Sequence, residues 1–154
     1  MISVSDYSAY WQSIKEAIAG LKSAHLVANE AHLKDVINKP GELFPMLLAT
    51  IPSADPQSRD IDSMAEINTC LIFILDKVAA ADRTNANYIT KMTQLQEIIK
   101  DVKEHMALDY EGCSRPGHTI MQRLELGSMH QDPEYNYLSC DGWSLSFRFT
   151  TLGL

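Results

Sequence analysis

Apolar residues at Tyr7, Tyr10, Trp11, Ile14, Ile18 and Leu21 recur at steps of three and four, which makes a single stripe along a helix. Ser5 is positioned as its N-cap, and Asp6 puts a negative charge in the first turn, where the helix dipole favours it. Lys15, Glu16 and Lys22 fall off the stripe, and Gly20 weakens the helix near its end. Within residues 23–40, Leu33, Val36 and Ile37 suggest a short second helix, stopped by Pro40-Gly41. The period then changes. Residues 43–52 read as an apolar strand bracketed by prolines, with Pro45 at its start or on a sheet edge because it has no N–H to donate. Residues 53–63 read as a polar loop. Residues 65–77 (AEINTCLIFILDK) are rich in β-branched and aromatic side chains and predict a long strand, paired with the first in a large hairpin.

Helical spacing returns at Tyr88/Ile89, Met92, Leu95, Ile99, Val102 and Met106. Thr84 or Asn85 serves as cap, and the helix is expected to end near Leu108. Two strands are expected to close the chain. Ile120, Gln122, Leu124 and Leu126 alternate with Met121, Arg123, Glu125 and Gly127. Trp143, Leu145, Phe147 and Phe149 alternate with Ser144, Ser146, Arg148 and Thr150, the cleanest pattern in the chain, with one face on a core and one wet. The order αββαββ predicts one α+β domain over residues 1–154. It is expected to be a two-layer sandwich, with an antiparallel four-stranded sheet and helices packed on one face. The helices should cover Trp143, Leu145, Phe147 and Phe149. The other face, with Ser144, Ser146, Arg148, Arg123 and Glu125, should meet water or a partner.

Composition narrows the function. At 154 residues, 45% hydrophobic and 21% charged, the chain is the size of one ordinary domain. Its longest apolar run, residues 70–75, is far short of the roughly 20 residues that span a bilayer. The first residues lack a basic and an apolar region, so no secretory signal is expected. The net charge of −7 and the scattered placement of lysine and arginine argue against nucleic-acid binding, which draws on clustered phosphate contacts. No Lys or Arg falls between Arg123 and Arg148, a stretch that holds Glu125, Asp132, Glu134 and Asp141. Three cysteines, an odd and sparse set, fit a reducing compartment.

Candidate chemistry is thin. His25 and His32 are seven apart, two turns on one helix, too distant to share a metal, and neither HExxH nor His-x3-His occurs. Cys113 and His118 share a loop with Arg115, Pro116 and Gly117, but a thiol–imidazole pair needs a third group to orient it. Cys70 reads as a small core residue. Cys140 sits near a turn. No phosphate-cradling glycine motif is present. Asp60 and Asp62 read as solvated charges, and Tyr7, Tyr10 and Trp11 as a core stripe in preference to a base-stacking platform. No cofactor, no metal, no membrane and no enzymatic activity are expected.

The segments YWQSIKEAIAGL, FPMLLATIP, AEINTCLIFILDK and DGWSLSFRFT, with the long polar excursion before the third, resemble the tail terminator or tail-completion proteins of tailed bacteriophages. The resemblance covers most of the chain as an element order and carries no diagnostic residues. It implies a ring, usually a hexamer, that caps the tail tube and joins it to the head within the virion, with tube and neck or connector proteins as partners and no catalytic site. A heterologous ring needs two different complementary surfaces per subunit. The candidates are the loop carrying Asp55, Arg59, Asp60 and Asp62 and the sheet face carrying Arg123, Glu125 and Arg148. A channel that lets DNA slide should repel phosphate, and Asp132, Glu134 and Asp141 are candidates for an acidic lining. The alternative from composition is a small acidic cytoplasmic protein-binding module, of adaptor or immunity type. A thiol enzyme built on Cys113 and His118 is the third reading.

Overall fold

The computed structural model of the protein describes residues 2–57, 64–112 and 115–152. Ser3, two residues ahead of the expected cap, starts the first helix: its hydroxyl accepts from the Asp6 N–H at 3.2 Å. Helix α1 (Val4–Ala17) buries Tyr7, Tyr10, Trp11 and Ile14 as the stripe requires. Ile18 and Leu21 lie beyond its end and stay buried in the chain that follows.

Strand β1 (Ser23–Val27) comes next, where no strand was expected. Helix α2 (Glu30–Asn38) follows, with Asn29 as its cap accepting from the His32 N–H. Strand β2 (Met46–Thr50) then runs parallel to β1 in register Ser23 to Met46 through Val27 to Thr50. Parallel neighbours need a crossover, and α2 supplies it. Strand β3 (Ser53–Pro56) continues the line of β2 after a break. Both pair antiparallel with strand β4 (Ala65–Lys77), β2 along residues 72–75 and β3 along residues 66–69. Helix α3 (Asn85–Gly112) crosses back, and strands β5 (His130–Tyr137) and β6 (Cys140–Leu152) form the closing hairpin.

Among the described residues the sheet has six strands in the order β1-β2-β4-β6-β5, with β3 beside β4. The expected four-stranded antiparallel sheet is therefore corrected to a six-stranded mixed one. The expected strand over residues 120–126 is corrected too. Ile120 and Met121 are both buried, which adjacent strand residues cannot be against a single core, and the chain forms 3-10 turns at His118–Arg123 and Leu126–Ser128. Only Leu124 bridges the sheet, opposite Phe149. The partner of β6 is instead the polar strand β5.

The helices do not share one face. Tyr7, Trp11 and Ile14 of α1 pack with Leu95, Ile99 and Val102 of α3 on Leu47, Ile72, Ile74, Leu145, Phe147 and Phe149. On the opposite face Leu33 and Ile37 of α2 pack on Val27, Met46, Leu48, Phe73 and Leu75. The reason is in β2, where Met46, Leu47, Leu48 and Ala49 are all fully buried, and a strand covered on both faces needs such an unbroken apolar run.

The backbone of β6 passes so close to β4 at Gly142 that a Cβ there would overlap the Ile74 carbonyl oxygen. A buried polar knot ties α1 to α3. Asp109, 0% exposed, accepts from the Tyr10 hydroxyl at 2.8 Å and from Arg115 Nε at 3.1 Å, while Arg115 Nη1 donates to the Ser13 carbonyl. No helix among the described residues is long and apolar enough to cross a membrane.

Candidate functional site

The residues singled out from the sequence fall in three places. Asp55 is exposed on β3. Arg59, Asp60 and Asp62 lie outside the described residues, as does Cys113. Arg123 is exposed in the 3-10 segment. Glu125 and Arg148 meet at 3.0 Å on the open face of the sheet, with both side chains substantially in water. The Glu125 N–H donates to the Arg148 carbonyl and the Arg148 N–H to the Ser128 hydroxyl, so residues 125–128 continue the edge of β6 where β5 stops.

The acidic set divides. Asp132 is exposed beside His130, and Glu134 accepts from the Ser144 hydroxyl at 2.8 Å. Both point to the open face, in register with Ser144 and Gly142. Asp141 is buried, faces α3, and is held by Arg83 Nη1 at 2.9 Å and the Asn136 N–H at 2.7 Å. It shares no surface with Asp132 and Glu134, because odd and even positions of β6 point to opposite faces.

The histidines and thiols are tied into structure. His25 Nε2 lies 2.9 Å from the Glu42 carboxylate. His32 Nδ1 accepts from the Ala28 N–H. His105 Nδ1 faces Arg115 Nη2 at 2.9 Å and must accept, since a guanidinium only donates. His118 Nδ1 donates to the Arg115 carbonyl at 2.7 Å. Burial pushes the Cys70 thiol up to about 12 and the Cys140 thiol up to about 11, the opposite of an activated nucleophile. Among the described residues no three His, Cys, Asp or Glu side chains converge as metal ligands.

One concavity among the described residues was not foreseen. A cleft of about 570 Å³ opens where the end of β4, residues 78–84, the first turns of α3 and Tyr135 of β5 converge. Thr84 caps α3, its hydroxyl accepting from the Asn87 N–H, and Asn87 Nδ2 donates to the Asp82 carbonyl at 2.9 Å. Arg83, its side chain 15% exposed, reaches down to Asp141 and lies 5.2 Å from the Tyr135 ring centroid. The hydrogen bond that Arg83 donates to Asp141 raises the Arg83 pKa further, so the guanidinium is charged at every working pH. Tyr88 meets Tyr135 edge to face at 5.3 Å. Lys91 pairs with Asp76 on the far wall.

The charges around the cleft are balanced: Arg83 is paired with Asp141 and Lys91 with Asp76, and the Lys77 ammonium lies 5.2 Å from the Phe44 ring centroid. The arrangement is an ordered arginine–tyrosine cluster beside a hollow, with Tyr135 63% exposed. Tyrosine and arginine in this form give rigid contact area at low entropic cost, which suits the anchoring of a protein partner. The sequence signal was weak because the lining comes from three separated segments. No protein-family model matches the chain, and no curated protein matches it in sequence.

Proposed function

We propose that the chain is a structural subunit of a tailed-phage virion, a tail terminator or neck ring protein that caps the tail tube and joins it to the head. The observation that carries the reading is the unlike pair of sheet edges. One side of the sheet ends in β1 and the exposed β3, the other in β5 with its Asp132, Pro133 and Glu134. A ring subunit needs two different surfaces, and edges of unlike sequence supply them. The open-face mosaic of Glu125, Arg148, Asp132 and Glu134 offers polar contacts to tube and neck neighbours. The element order αβαβββαββ keeps the long central strands and the two amphipathic helices on which the resemblance rests. The partners are then copies of the chain, the tube protein and the connector, with the virion as final location.

Negative-stain imaging of tail tubes with and without the protein tests the reading. Rings at one end of the tubes, and tubes of fixed length, are expected. Bare tube ends at saturating protein would overturn it. The second reading, a protein-binding module, is favoured by the cleft, whose arginine–tyrosine wall is suited to gripping a single partner segment.

A further inference from the structure

We propose that Gln12 and His32 close the outer edge of β1, and that without them the sheet pairs there with β1 of a second copy of this chain. The inference goes beyond the ring reading and holds whether or not the chain caps a tube. Strand β1 ends the sheet, with β2 on one side and no described strand on the other. The backbone N–H and C=O of successive strand residues turn to alternate sides. The Val27 carbonyl accepts from the Ile51 N–H at 2.9 Å, on the β2 side, so Val27 and His25 turn their backbone groups to the sheet while Ala24 and Leu26 turn theirs outward. An open edge of this kind is a template for another strand.

Sheet edges are blunted by charge, by proline or by a bulge. Strand β5, at the other end of the sheet, has all three: Asp132 and Glu134 flank Pro133, and its register shifts between Glu134 and Tyr137. Strand β3 carries Asp55 and Pro56. Strand β1 reads SAHLV and has none of these devices. Its protection comes from outside the strand. From α1, on one face of the sheet, Gln12 Nε2 donates to the Ala24 carbonyl at 2.7 Å. From α2, on the other face, His32 Nδ1 accepts from the N–H of Ala28, one residue past the strand, at 3.2 Å. The Asn29 cap accepts from the His32 N–H at 3.0 Å, which sets that residue beside the edge. The two side chains bracket β1, and a strand laid along it has to displace both. Because β1 would meet its own copy across a two-fold axis, the product is a closed dimer.

Sedimentation velocity combined with amide hydrogen exchange tests this on the full chain. In the wild type the Leu26 amide should exchange fast at every concentration up to about 1 mM. Gln12→Ala with His32→Ala frees two backbone groups to bond across the edge and should tighten dimer formation by about tenfold or more. The Ala24 and Leu26 amides should become protected as the dimer forms, and each single substitution should fall between. Both residues are exposed, so the near-ultraviolet circular dichroism should stay that of the wild type. Gln12→Glu keeps the size of the side chain and turns an acceptor against the Ala24 carbonyl, and it should act in the same direction.

A double variant that keeps the native spectrum and associates no more than the wild type overturns the inference. So does one that associates while its Leu26 amide still exchanges fast, since the contact then lies elsewhere. A self-associated wild type with a protected Leu26 amide overturns it as well, because the edge is then open with both side chains in place. If the double variant loses the native spectrum, Gln12→Glu alone decides by the same two readouts.

Discussion

Leu138 and Ser139 form the two-residue turn between β5 and β6 with φ of 52° and 65°, the left-handed region that glycine enters without a Cβ penalty. Ser139 is exposed, and only its backbone is engaged, its carbonyl accepting from the Val78 N–H. Ser139→Gly is expected to stabilise the fold by about 0.5–1 kcal/mol, read as a higher urea midpoint at unchanged slope. Asp109 is the opposite case. Removing its carboxylate leaves the Arg115 guanidinium half-buried and unpaired, so Asp109→Ala should cost about 3–5 kcal/mol. Tyr10→Phe removes one hydrogen bond to the same charge and should cost less, about 1.5–3 kcal/mol in the same titration.

The two described thiols set an alkaline limit. Unfolded, they ionise near 9.0; folded, Cys70 holds its proton to about 12 and Cys140 to about 11. The folded chain thus keeps protons that the unfolded chain releases. Stability is full below about pH 9 and is lost as the pH rises through 11 to 12. Urea midpoints should be flat from pH 7 to pH 8.5 and fall by pH 10, and Cys70→Ala should flatten the fall relative to its own neutral value.

Among the elements, α2 makes the sharpest prediction, because a sheet covered on one face would not need it. Ile37 is fully buried against β2 and β4, and Ile37→Ala should cost about 2–5 kcal/mol. If α2 were a surface appendage the cost would stay near zero. Trp143, expected to be a core residue, is only half-buried and donates its indole N–H to the Met92 carbonyl at 3.2 Å, so Trp11→Ala should be the more damaging of the two tryptophan substitutions.

Where periodicity was strong it located elements well: β4 begins and ends at the residues its composition marked, and every position of the α1 stripe is buried. It failed where an element is held by neighbours. β1 has a serine and a histidine among its five residues, and its place beside β2 comes from the α2 crossover. β5 reads HQDPEYNY, with no alternation to detect. The β6 ladder fixes it, and Pro133 is tolerated because the strand is an edge. The cleft was illegible for the same reason: Arg83, Tyr135 and Asp141 are brought together by the sheet and have no shared local pattern.

Taken whole, the described molecule is built on a thirteen-pair ladder with a hollow at its Lys77–Cys140 end. That layout has a mechanical consequence. Force applied along the ladder runs through β4 and β6, which are antiparallel and adjacent. Traction of that kind shears the backbone hydrogen bonds together, whereas traction across the sheet would peel them one after another. The ladder therefore acts as a tie-bar, stiff lengthwise and weak sideways, and optical-trap extension along the two axes should yield a markedly higher rupture force for the first.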